Sequence, residues 1–226
     1  ELAALRGTGQ QAGALAAELT QAQQDWQLAA DALGAIRRQA AERLSAEVSG
    51  LMAELGMAGG HFAIELEANP DTDPQAHGAQ RCEFLVSANP GQPPRPLRKV
   101  ASGGELARIA LAIEVATLGA DPVPSMVFDE VDSGIGGAVA ETVGRKLRAL
   151  GGRCQVLAVT HLAQVASQAH HHLQVVKRNE AGRTKSRVSP LQADARVQEI
   201  ARMLGGSTLG PETLAHAGAM LAQGQS

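Results

Sequence analysis

The stretch from Lys99 to Gly137, KVASGGELARIALAIEVATLGADPVPSMVFDEVDSGIGG, decides how the chain is read. Ser102 heads an apolar series, Leu106, Ile109, Ala110 and Ile113, that repeats at helical spacing. Glu105 follows three residues behind it, so SGGE has the form of a capping box opening a helix. Capping alone does not ask for glycine at 103 and 104, because each disfavours a helix by roughly 1 kcal/mol against alanine. What they offer is bare backbone N–H at the positive end of a helix dipole, where a phosphate can approach closely. Further on, two prolines precede Ser125-Met126-Val127-Phe128, an apolar run that reads as a buried strand ending in Asp129 and Glu130. Ligands of parallel α/β sheets collect beyond the carboxyl ends of the strands. Asp129 is therefore placed to hold Mg²⁺, directly or through water, and Glu130 to polarise the water that attacks a phosphoryl group.

A second apolar strand, Val156-Leu157-Ala158-Val159-Thr160, delivers His161 to its own carboxyl end. Taken singly, each part has a plainer reading: a helix cap, a solvated strand end, a structural histidine. The succession of SGGE, strand plus DE, and strand plus TH is much rarer than any one of them. On these residues the chain resembles the ABC-type ATPases and, within them, the SMC-like DNA-repair ATPases of the RecN family. The closer likeness lies in LRKVASGGELARIALAIE, FDEVDSGIGG and VTHLAQVAS and extends through most of Gly56 to Gly206. The resemblance implies an α/β fold, the ABC/SMC-type P-loop ATPase head. It implies a signature loop at Ser102, Gly103, Gly104 and Glu105 that contacts ATP in trans across a homodimer of heads. A Walker B strand then ends at Asp129, which binds Mg²⁺, followed by a catalytic Glu130 and a switch histidine at His161. Two positions depart from the wider pattern: Ala101 stands where leucine is common, and Gly136 where the D-loop aspartate is expected.

The chain contains no G-x-x-x-x-G-K-[ST] loop, the element that cradles β- and γ-phosphates. It is therefore expected to be inactive alone. In SMC-like proteins the Walker A lobe is encoded before a long coiled coil and the Walker B lobe after it. The expectation is a C-terminal lobe whose partner is the N-terminal Walker A lobe of the same protein, and the opening in mid-helix without methionine fits it.

The formal charge of −3 gives no global basic field, so a DNA partner, expected to be bound independently of sequence, must meet a local patch or an assembled oligomer. With 2% aromatic residues and no tyrosine, stacking on single-stranded bases is disfavoured. Cys82 and Cys154 show neither metal-ligand nor disulfide spacing and read as reduced cytoplasmic thiols. No signal peptide or long apolar span is seen, so no membrane partner is expected; the family implies a bacterial, nucleoid-associated location.

Residues 1–56 are rich in Ala, Gln, Leu and Glu. Leu19, Trp26, Leu33 and Ile36, then Leu44, Val48, Leu51 and Leu55, fall near heptad register with one slip. Periodicity leaves two readings: the returning arm of an antiparallel coiled coil, or an amphipathic helix packed on the domain. The family favours the arm, followed by a lobe over 57–226. Gly56 to Gly60 supply a C-cap and hinge. Phe62 to Glu67 and Arg81 to Val86 read as neighbouring strands around a polar loop, Asn69 to Gly78, with His77 in solvent. Asn89 to Pro96, carrying four prolines, reads as an extended connector. Arg98 and Lys99 then face phosphates across a dimer or merely solvate a loop.

After the central stretch, helices are expected at Gly136 to Leu150, Ala163 to Ala169, Ala193 to Leu204 and Pro211 to Gln223. His170-His171-His172 does not read as a metal site, since adjacent strand side chains point to opposite faces. Leu173 to Lys177 and Thr184 to Val188 read as a hairpin gathering Lys177, Arg178, Arg183, Lys185 and Arg187. These cations suit a DNA backbone, and equally the edge of a solvated hairpin. Two other functions stay open: a different ABC-type head, such as a chromosome-organising SMC protein, and a non-enzymatic docking module.

Overall fold

The computed structural model describes the backbone of residues 2–69, 73–100, 102–118, 123–180, 183–205 and 209–225. Helix α1 (Leu2–Glu54) is 53 residues long, about 80 Å at 1.5 Å per residue. Its two ends have different surroundings. Val48, Leu51, Met52 and Leu55 are buried in the main core, whereas Leu15 and Leu19 are 65% and 60% exposed on the same helical face. Between them, Trp26 Nε1 donates to the Gln75 carbonyl at 2.9 Å and Arg37 Nη1 to the His77 carbonyl at 2.9 Å. The loop read as merely polar is thus the strap that seats the helix; His77 itself is exposed, and 70–72 lie outside the described residues. Ile36, placed in the apolar register from sequence, is 65% exposed on another face.

The helix stops in a Schellman pattern: Met57 N–H donates to Met52 O at 3.0 Å and Gly56 N–H to Ala53 O at 3.3 Å. Gly56 has φ +85°, the left-handed conformation that glycine adopts without a Cβ clash. The chain then enters β1 (His61–Ala68), which pairs antiparallel with β2 (Gln80–Ser87). The proline-rich connector is not only a connector. Its end forms β3 (Arg95–Pro96), two residues paired with Val86 and Leu85 at a sheet edge, where proline's missing N–H is tolerated. A 3-10 turn over Leu97–Lys99 follows. Arg98 pairs with Glu83 at 3.1 Å, which places this cation on its own sheet.

Helix α2 (Gly103–Ala116), strand β4 (Ser125–Phe128), helix α3 (Gly137–Gly151) and strand β5 (Gln155–Ala158) build the central unit. Strands β4 and β5 are parallel, with Phe128 opposite Ala158, so the segments after both strands emerge side by side. Ile109, Leu111, Phe128, Val131, Val143, Leu147 and Leu150 close the main core beneath them.

Helix α4 (Ala163–Ala166) is shorter than its pattern suggested. Arg196 explains this, because its guanidinium donates to the carbonyls of Ala166, Ser167, Ala169 and His170, replacing further helix with a charged cap. Strands β6 (His172–Glu180) and β7 (Arg183–Leu191) form the expected hairpin, longer at both ends, with its turn at 181–182 outside the described residues. Helices α5 (Ala193–Gly205) and α6 (Pro211–Gln225) make a second, smaller core with α4 around Ala163, Ala166, Ile200, Ala201, Ala217 and Leu221. Among the described residues no helix is long and apolar enough to cross a membrane.

Three groups link this second core to pH, and burial, reinforced by the charge of Arg148, holds the first of them, His170, below the usual histidine range. Burial, reinforced by Arg196, holds His172 below the usual histidine range. Hydrogen bonding from Arg202 holds Glu199 below the usual carboxylate range. The unfolded chain therefore binds the His170 and His172 protons first, and stability falls as pH drops below about 6.5. A further loss follows as Glu199 protonates below about pH 4.3. Melting curves between about pH 5.5 and 7.5 should show the first slope in the wild type and a flattened one in His172→Gln.

Candidate functional site

Ser102 is the N-cap of α2, at φ −90° and ψ 120°, and its Oγ accepts the Glu105 N–H at 3.3 Å. Helix α2 runs back along β4, so its tip comes to the carboxyl end of that strand. There the two glycines have different neighbours. At Gly103, which is exposed, the Oε2 of Glu130 occupies the place a Cβ would take. At Gly104, which is buried, a Cβ would lie 2.9 Å from Ser133 Cβ and 3.0 Å from Ser133 O. Gly104 thus has a packing reason of its own, apart from the bare backbone that the sequence suggested for both positions.

The turn beneath the tip is held from several sides. Buried Arg108 donates from Nη1 to Ser133 O at 2.8 Å, and Ser133 N–H donates to Glu130 O at 3.0 Å. Glu130 has φ +59°, a conformation that non-glycine residues adopt only where their surroundings impose it. Asp129 Oδ1 accepts the Glu130 N–H at 2.9 Å, fixing one oxygen of the exposed carboxylate and leaving the other open. The strand expected to reach Glu130 ends at Phe128; this turn is the reason.

In the same turn the decisive residue is Asp132, 3% exposed. Its Oδ2 accepts the Thr160 hydroxyl at 2.5 Å and the His161 N–H at 3.0 Å, and it lies 3.2 Å from His161 Nδ1. One buried carboxylate thereby ties the segment after β4 to the segment after β5. It also orients an imidazole whose side chain is 72% exposed, so Nδ1 faces Asp132 and Nε2 remains for another partner. Sequence reading passed over Asp132, Thr160 and Arg108. The second acid of DEVD and the threonine before the histidine carry a signal only once β4 and β5 are known to be parallel neighbours.

Ser102, Gly103, Asp129, Glu130 and His161 are thus exposed around one edge of the central unit, while Gly104 and Asp132 support it from below. For a divalent cation the fit is a single carboxylate, Asp129. Among the described residues no group of three or more metal-binding side chains exists. Beside the site, the outer face of β4 and β5 is apolar and open, with Val127, Leu157 and Val159 exposed by 68%, 46% and 61%.

The chain is 53% identical to a DNA repair protein RecN from Xylella fastidiosa (strain Temecula1) over 203 residues, 90% of this chain and 36% of that protein. It is 44% identical to a DNA repair protein RecN of Vibrio cholerae over 98% of this chain and 40% of that one. Among solved structures it is similar to an Smc head domain with a coiled coil and joint from Pyrococcus yayanosii, at a TM-score of 0.52 and 26% identity. That match covers 70% of this chain and 28% of the other. No family model matches. The fold is that of an SMC-type head, and the chain spans well under half the length of these RecN relatives.

Substitutions separate the roles of the supporting residues. Gly104→Ala should destabilise by about 1–3 kcal/mol through overpacking on Ser133. Gly103→Ala displaces only a flexible carboxylate and should be neutral or gain up to about 1 kcal/mol of helix propensity. Asp132→Ala leaves the Thr160 hydroxyl and the His161 N–H without their acceptor and should lower stability by about 2–3 kcal/mol, part of it recovered in Asp132→Asn. Denaturant melts of the four variants give the order.

Proposed function

Because the chain belongs to the RecN family, of whose members above it spans 36% and 40%, we propose that it is one lobe of an SMC-like ATPase head acting in DNA double-strand break repair. The observation carrying this is the single exposed edge at which the α2 tip meets the ends of β4 and β5. On this reading α1 is the returning arm of a coiled coil over 1–56, and 57–226 form the lobe.

The apolar outer face of β4 and β5 supports a missing lobe. A parallel pair of strands normally has both faces covered and belongs to a larger sheet. Here Val127, Leu157 and Val159 lie open, so the Walker A lobe would bury them and bring its phosphate-binding loop to Asp129. Leu15 and Leu19 on α1, equally open, suit an antiparallel helical partner.

The chemistry of the chain's own groups follows from where they stand. Asp129 offers its free oxygen to Mg²⁺, which when bound supplies charge neutralisation of the phosphates. Glu130 is turned onto Gly103; to orient the attacking water its side chain swings off the helix tip toward nucleotide held by its own head. That movement bares the Gly103 N–H. Ser102 can donate its hydroxyl hydrogen while its oxygen keeps the Glu105 N–H. Together they would donate to a γ-phosphate held by the partner head, with Gly104 seating the tip and Glu105 completing the cap. His161, its Nδ1 facing Asp132, would present Nε2 to the phosphate. ATP then closes two heads and hydrolysis releases them.

The test is the head assembled from this chain and a Walker A lobe. Glu130→Gln should keep ATP binding while slowing turnover by about 10²-fold or more. Turnover at the wild-type rate would remove Glu130 from the chemistry. An assembled head that binds no ATP would favour the docking module instead.

A further inference from the structure

Strands β6 and β7 stay in unbroken register from His172 opposite Leu191 to Glu180 opposite Arg183, so each side chain's face is set by its position. On one face Gln174 and Val176 stand opposite Ser189 and Arg187. This face is turned to α5: Gln174 Nε2 donates to Glu199 Oε2 at 2.6 Å, and Gln174 and Val176 are half-buried. On the other face Leu173 and Val175 stand opposite Pro190 and Val188. There Leu173, Val175 and Val188 are each more than half exposed. An antiparallel sheet packed on one side normally turns its apolar residues inward and its polar residues to water. Here the order is reversed, with a glutamine holding the hairpin to its helix and an apolar cluster on the opposite face.

Such a cluster marks a face that is covered in the complete molecule. A two-stranded sheet is marginal until further strands or a second packed layer complete it, and the apolar side of this one is open. The β4–β5 pair has the same deficit, with Val127, Leu157 and Val159 open on its outer face. What covers the hairpin is limited by the size of the patch. Four side chains fall well short of the roughly 800 Å² per partner that a stable complex of separate molecules buries, which disfavours a second copy of the chain or an independent protein. A lobe carried on the same polypeptide docks at high effective concentration and needs no such area. The RecN relatives have the length for one, since this chain spans only 36% and 40% of the two described above.

We infer that Leu173, Val175, Val188 and Pro190 form a docking surface for the N-terminal lobe of the same polypeptide, so that the β6–β7 hairpin is clamped between that lobe and α5. The inference rests on the two-lobe reading above for the existence of the lobe, and it adds a second place, apart from the β4–β5 face, at which the lobe is held.

The experiment is maleimide labelling of single thiols in the protein that carries both lobes and in the 226-residue chain alone, each with Cys82→Ser and Cys154→Ala as background. For Val175→Cys and, independently, Val188→Cys, the rate in the two-lobe protein should fall on the order of tenfold or more below the rate in the chain alone. Arg178→Cys, exposed on the opposite face of the hairpin, should change by less than about twofold. Val127→Cys reports the lobe on the β4–β5 face. Slowing of Val127→Cys without slowing of either hairpin thiol overturns the hairpin surface and leaves the two-lobe reading standing, whereas no slowing at any of the three overturns both. Equal slowing of Arg178→Cys overturns the facial assignment. Slowing that appears in the chain alone and grows with its concentration gives the face to a second copy and overturns the inference.

Discussion

The close approach of the α2 tip to the turn after β4 is the constraint on which the site depends. A helix can be seated this tightly against another backbone only where a side chain is missing, and Gly104 supplies that gap above Ser133. Once seated, the tip limits what the turn can do. Arg108 holds it from below, Glu130 is driven into the left-handed region, and its carboxylate comes to rest on Gly103. The residue carrying the proposed catalytic acid is thus held in a strained conformation beside a helix N-terminus, imposed by the tip and the turn around it.

Asp132 extends the same constraint sideways. Parallel pairing alone brings the ends of β4 and β5 near one another, but it does not fix the loops beyond them. The buried carboxylate does so with three contacts to Thr160 and His161. Any movement of the turn after β4 must therefore be felt by the imidazole. The acid proposed to handle water and the histidine proposed to sense phosphate thus share one mechanical base.

The periphery follows a different logic. Helix α1 is gripped at its carboxyl end by the core, strapped at Trp26 and Arg37 by the loop before β2, and open beyond. Helices α5 and α6 pack into their own small core, with Arg196 drawing in the carbonyls that α4 would otherwise leave unpaired. Open apolar surface remains on α1 and on the β4–β5 face, the two places where the proposed second lobe and helical partner would pack.

Local pattern in the sequence determined the elements. The cap at Ser102, the alternation of β1 and β2, the left-handed stop at Gly56, the parallel-sheet character of two apolar runs and the cationic hairpin are all nearest-neighbour properties, set by sterics, periodicity and capping within a few residues. So was the family, through SGGE, FDE and TH. Tertiary structure alone decided which groups meet across long separations. It put Glu130 on Gly103, Ser133 under Gly104 and Asp132 beneath His161, and it moved Ile36 off the buried face of α1. No local pattern could decide these, because a buried carboxylate finds its partners only after two strands have paired, and a glycine's missing side chain has meaning only against the atoms that fill its place.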